Sequence, residues 1–183
     1  MAVRAIVGLF GDDESKKLFT RKLLEARTFK EIIPEKFLDD LGVEMIYTKV
    51  SAKEYKINIV FINVSSKLPV SIIKHYMKMA DVVVFFVNSA DPKSLIILPK
   101  FIDYLLEVEK ESYSQKKIVI VSSSGDNIYE ILRDLEYASK RYSEELMRYL
   151  DRPIKYLRLR GLESEKVLSV AKEILRELSV LSI

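Results

Sequence analysis

The sequence predicts a three-layer α/β domain, with a six-stranded, mostly parallel sheet covered by helices on both faces. Ala2–Phe10, Asp81–Asn88 and Lys117–Val121 are continuous apolar runs of strand length, the pattern of strands buried on both sides. Amphipathic segments with helical spacing alternate with these runs. Val43–Val50 and Lys56–Asn63 are separated only by Ser51–Tyr55, too short for a helical crossover, so they must form an antiparallel hairpin. That hairpin puts one reversed strand, Val43–Val50, at an edge and leaves the other five parallel.

In chain order, the strand Ala2–Phe10 leads into a helix over Lys16–Arg27, where Phe19, Leu23 and Leu24 share a face. The hairpin follows, and then a short helix over Ser71–Met79 with Ile72, Ile73, Tyr76 and Met77. After Asp81–Asn88, a helix is expected over Pro99–Lys110, with proline in its first turn and Phe101, Ile102, Leu105 and Leu106 for packing. Lys117–Val121 is the fifth strand, and Asn127–Leu150 repeats apolar residues at helical intervals. Ile154–Leu159, entered through Pro153, is the sixth strand. The last helix has the clearest stripe, from Val167 through Ala171, Ile174 and Leu178 to Leu181. No linker or repeat divides the chain, so residues 1–183 read as a single domain.

Composition excludes whole classes of chemistry. With 49% hydrophobic residues and a net charge of +3, the chain is not disordered. The absence of cysteine removes disulfides, thiol catalysis, cysteine-ligated zinc and thiol-linked lipid anchors. The one histidine, His75, has no identifiable acid–base partner, so a surface or packing role is expected for it. Thirty basic residues are interspersed with 27 acidic ones, so no nucleic-acid partner is expected. Charge at 31% without cysteine also suits a protein of high-temperature habit. Met-Ala-Val-Arg at the start has neither a signal-peptide pattern nor a myristoylation glycine, and no apolar run spans a bilayer. A soluble, cytoplasmic protein without a membrane anchor is expected.

Ligands of such sheets bind beyond the carboxyl ends of the strands, so the loops there are the place for chemistry. Gly11-Asp12-Asp13-Glu14-Ser15-Lys16-Lys17-Leu18, between a strand and a helix, has the frame of the phosphate-binding loop G-x-x-x-x-G-K-S/T. Gly11 and Lys17 match its first glycine and its lysine. Lys16 stands where the second glycine belongs, and Leu18 where the metal-binding hydroxyl belongs. A receiver domain, suggested by Asp12 and Asp13, fails because Asn63 and Asn88 replace the aspartate that would accept phosphate.

Taken with the strand spacing and the hairpin, the chain from Val3 to Leu178 resembles a Ras-superfamily small GTPase. Leu41-Gly42-Val43-Glu44-Met45 resembles the segment after the first switch. Tyr76–Leu95 is similar to the stretch around the fourth strand of Rab and Ras proteins. Ile118–Asp126 is similar to the strand that ends in N-K-x-D. The resemblance implies a Ras-like P-loop NTPase fold with GTP or GDP as the candidate ligand. It places a nucleotide site at Gly11, Ser15, Lys16, Lys17 and Asp126, the last either holding guanine or capping the helix from Asn127.

Most of the family's motif residues are nevertheless replaced. Asp40 stands at the switch I threonine, Asn63-Val64-Ser65-Ser66 at D-x-x-G, Lys67 at the water-positioning glutamine and Arg160-Gly161-Leu162 at S-A-K. Three consecutive acids, Asp12, Asp13 and Glu14, repel phosphate: a carboxylate 4 Å from a phosphate charge costs at most about 4 kcal/mol at an effective dielectric near 20. With Leu18 and Asn63, magnesium has lost two expected contacts, so neither bound Mg2+ nor a catalytic residue is expected. The resulting expectation is a pseudo-GTPase acting as a regulatory or scaffold subunit. The alternatives are a divergent switch hydrolysing GTP slowly through Lys17 and Asp126, and an anion- or nucleotide-sensing module without hydrolysis. The expected partner surface is the edge of Val43–Val50 with the switch-like loops. The resemblance implies roadblock- or longin-type domains or another GTPase-like subunit as partners, and a second copy of the chain is the further candidate.

Overall fold

The computed structural model describes residues 3–25, 30–31, 42–52, 55–88, 90–122, 153–159 and 163–178. The elements, in chain order, are β1 (Val3–Gly11), α1 (Asp13–Glu25), β2 (Lys30–Glu31), β3 (Val43–Ala52), β4 (Tyr55–Val64), α2 (Val70–Met79), β5 (Val82–Val87), α3 (Pro92–Ser112), β6 (Lys117–Ser122), β7 (Ile154–Arg158) and α4 (Ser164–Leu175). The expected helix Asn127–Leu150 lies outside the described residues, as do Asp40, Asp126 and Arg160-Gly161-Leu162.

One mixed sheet runs β2-β3-β4-β1-β5-β6-β7. β1 pairs in parallel with both β4 and β5, and β5, β6 and β7 continue in parallel. The expected hairpin is present: β3 and β4 pair antiparallel from Val43↔Val64 to Ala52↔Tyr55. β3 is the reversed strand, but it is not outermost. The two-residue β2 lies against it, with Lys30 opposite Tyr47 and Glu31 opposite Ile46, so among the described residues the six expected strands are joined by a short seventh. The edge expected to be free for a partner is therefore capped at its centre. A two-residue strand carries no alternation of its own, which hid it from the pattern of the sequence.

Both sheet faces are covered, which explains why β5 is apolar throughout. Val82, Val84 and Phe86 face α1 and α4, while Val83, Phe85 and Val87 face α2 and α3. Phe19 and Leu23 of α1 and Val167 and Ile174 of α4 complete the first core; Ile73, Met77, Phe101 and Leu105 complete the second. Each such fully buried side chain contributes roughly 1.5–3 kcal/mol relative to exposure. β3 also divides between the faces: Ile46 is fully buried with the first core, whereas Met45 and Tyr47 lie half-buried against the second.

Two helices begin earlier than expected, for one reason. α3 starts at Pro92, not Pro99, because the Asp91 carboxylate accepts a hydrogen bond from the Lys93 N–H at 3.0 Å and Pro92 occupies the first turn. Pro99 lies inside this 21-residue helix, where it is buried among core residues despite the donor it lacks. α1 starts at Asp13, three residues before the expected Lys16. Among the described residues, no helix is long and apolar enough to cross a membrane.

Candidate functional site

The chain leaves β1 through α1 toward β2 and β3 on one side of the sheet, whereas β5 leads through α3 to β6 on the other. The crevice beyond the carboxyl ends of β1 and β5 is thus the topological switch point, the usual ligand position in such sheets. Here the backbone itself closes it. Gly11 still pairs with Phe86, and the Asp12 N–H donates to the Phe86 carbonyl at 2.9 Å. Gly11 has φ +98, and a Cβ there would lie 2.4 Å from the Phe86 oxygen, so this close approach requires glycine.

A single residue, Asp12, joins strand to helix. Its carboxylate accepts from the Ser15 N–H at 2.9 Å and the Ser15 hydroxyl at 2.6 Å, and its carbonyl takes the first helical bond from Lys16 at 3.1 Å. Asp12 is the helix cap, and Asp13 and Glu14 in the first turn oppose the positive end of the helix dipole. The three acids that look hostile to phosphate in a loop are thus the ordinary start of a helix. Gly11–Lys17 is correspondingly not an open loop: residues 13–17 are helical, and Ser15 is engaged by Asp12.

The two lysines part company. Lys16 has no solvent exposure; its ammonium donates to the Val64 carbonyl and pairs with Asp13 Oδ1 at 2.9 Å. Burial pushes its pKa below the ordinary lysine value, opposed by the charge of Asp13 beside it. Asp13 also accepts from both the N–H of Ser66, at 2.8 Å, and its hydroxyl. Burial alone would raise the Asp13 carboxyl, but Lys16 and the Ser66 hydrogen bonds hold it below the usual carboxylate range. Val64 and Ser66 belong to the segment that stands at D-x-x-G, so this turn after β4 is fastened to α1 by side chains.

Lys17, one position around the helix, is exposed. It borders an open cleft of about 250 Å³ shared with Asn63, Ser65 and Lys67, with Glu44 and Asp13 on its acidic side. Gly42 forms another wall: it has φ +67, its carbonyl accepts from the Ser65 N–H at 2.8 Å, and a Cβ there would press on Leu68. The structure therefore brings Gly11, Ser15, Lys16 and Lys17 to one end of the sheet but turns only Lys17 toward open space. Asp126, the remaining candidate, lies outside the described residues.

The burial of Lys16 escaped the sequence reading, although a signal was present. The buried residues of α1 are Lys16, Phe19, Thr20 and Leu23, spaced as one helical stripe that contains Lys16 and excludes Lys17. Asp13 stands three residues before Lys16, at ion-pair spacing on a helix. No protein-family model and no curated protein matches the chain.

Lys16→Ala should cost about 3–5 kcal/mol in urea unfolding, as expected when a buried ion pair loses one partner. Lys17→Ala should stay within about 0.5 kcal/mol of the unaltered protein. The reverse ranking would mean that the other lysine is the structural one.

Asp13 also predicts an acid dependence. Its folded pKa lies below its unfolded value of about 3.9, so its carboxylate contributes stability above that pH and loses it as pH falls through the folded pKa. The stability difference between the protein and Asp13→Asn should therefore be largest near neutrality and shrink through the acid range. A difference independent of pH would show that the carboxylate charge does not matter.

Proposed function

We propose that this chain is a Ras-like domain that acts through protein contacts as a regulatory or scaffold subunit, without a working nucleotide site. The arrangement of a parallel sheet with one antiparallel hairpin toward an edge supports the Ras-like reading. The carrying observation for lost nucleotide binding is the stretch Gly11–Lys17 itself: Asp12 caps α1 directly and residues 13–17 are already helical, which leaves no loop to wrap a phosphate. The closed approach of Gly11 and Asp12 to Phe86 adds to it, since a phosphate loop needs free backbone amides in that place. The turn after β4 and the outer side of α2, where Ile72 and Met79 are 40% and 39% exposed, are the surfaces offered to a partner.

One observation favours a second reading. Lys17 is exposed beside an open cleft, so a divergent GTP-binding switch would use Lys17 there together with Asp126.

Calorimetry with GTP and GDP on nucleotide-free protein, with and without magnesium, separates the two. The scaffold reading predicts no saturable heat up to about 1 mM nucleotide. Magnesium-dependent binding in the micromolar range that is lost in Lys17→Ala and Asp126→Ala would replace it with the switch reading.

A further inference from the structure

The turn that follows β4 is held at each of its first two residues. The Ser65 N–H donates to the Gly42 carbonyl at 2.8 Å. The Ser66 N–H donates to Asp13 Oδ1 at 2.8 Å, and its hydroxyl donates to Asp13 Oδ2. One carboxylate of α1 thus takes both donors of a residue 53 positions away in the chain. The same carboxylate pairs with Lys16, whose ammonium also reaches the carbonyl of Val64, immediately before the turn. Hydrogen bonds to an ionised carboxylate are about twice as strong as those between neutral groups, and the ammonium beside Asp13 favours the ionised form. The Leu68 N–H returns to the Ser65 carbonyl at 3.3 Å, and the chain enters α2 through Pro69. The turn and the start of α2 are therefore set by what holds Ser65 and Ser66.

In the Ras-like register, Ser66 stands at the glycine of D-x-x-G. The loops of nucleotide switches are held by the terminal phosphate with its metal, and they are released when that phosphate is lost. An anion also sits at the Ser66 amide of this chain, but it is covalently part of α1. It can be neither hydrolysed nor exchanged, and a free anion seeking the same donors would compete with a group already tethered beside them.

We propose that Asp13 is a built-in latch that takes the place of a terminal phosphate toward the turn after β4, a role that rests on the Ras-like scaffold reading above. The latch keeps the turn in one arrangement whether or not a nucleotide is present. Exposed Lys67, Pro69, Val70 and Ile72 are then presented to a partner constitutively. The first turn of α1, rather than a ligand, governs that surface.

Amide hydrogen exchange, followed by NMR on the full chain, reads the turn residue by residue. In Asp13→Ala, the amides of Ser65, Ser66 and Leu68 should exchange together more than about 30-fold faster, while β5 stays far more protected than the turn. Ser66→Ala leaves Lys16 paired and so keeps the fold; it should free the same three amides together by about fivefold, the size of one hydrogen bond. Acceleration confined to residue 66 in both variants would overturn the proposal, because Asp13 would then make local bonds without holding the turn. With GTP or GDP and magnesium at about 1 mM, exchange in the turn of the unaltered protein should not change. Calorimetric nucleotide binding with an unchanged turn would sink the scaffold reading and leave the latch standing. A turn whose exchange responds to nucleotide would overturn the latch itself.

Discussion

A lysine ammonium without solvent exposure is costly, because taking an ion out of water costs several kcal/mol that only well-placed partners offset. Lys16 finds those partners in Asp13, on its own helix, and in the Val64 carbonyl at the end of β4. Asp13 in turn holds Ser66 through two hydrogen bonds. This cluster fixes the start of α1 against the end of β4, two elements far apart in sequence. Phe19, packed on Phe86 with ring centroids 5.1 Å apart, seats the same helix on the central strand β5. The position of α1, and with it the shape of the sheet's carboxyl end, depends on that pair.

The functional consequence follows from charge. In a strand–loop–helix phosphate site, free amides and a lysine await an anion. Here Asp12 takes the amide and hydroxyl of Ser15 and residues 13–17 are already helical, so the open loop of such a site is not formed, although the motif-aligned Lys17 stays exposed. The one-residue turn and the Gly11–Phe86 contact leave that end of the sheet closed between β1 and β5.

The fold was legible wherever burial on both faces imposed an unbroken apolar run, as in β5, or where chain length forbade a crossover, as between β3 and β4. What escaped detection depended on single side chains. Asp12 and Asp91 begin their helices earlier than apolar periodicity alone indicates, because capping acts through one hydrogen bond rather than a stripe. Lys16 and Lys17 are chemically identical in the sequence, and a motif-based alignment selects Lys17. Only the helical phase, which sets Lys16 on the face of Phe19 and Leu23, tells them apart. Tyr113 was invisible for the opposite reason: its left-handed backbone occurs at a residue type that rarely signals one.

The most direct test of the central claim is the reactivity of individual amines in the native protein. Acylation under limiting reagent, followed by mass spectrometry of peptides, reads Lys16 and Lys17 side by side. Buried and paired, Lys16 should react at least about 100-fold more slowly than Lys17, with equal rates once the chain is unfolded. Equal rates in the folded protein would contradict the account, because an accessible Lys16 could not be the pin between α1 and β4.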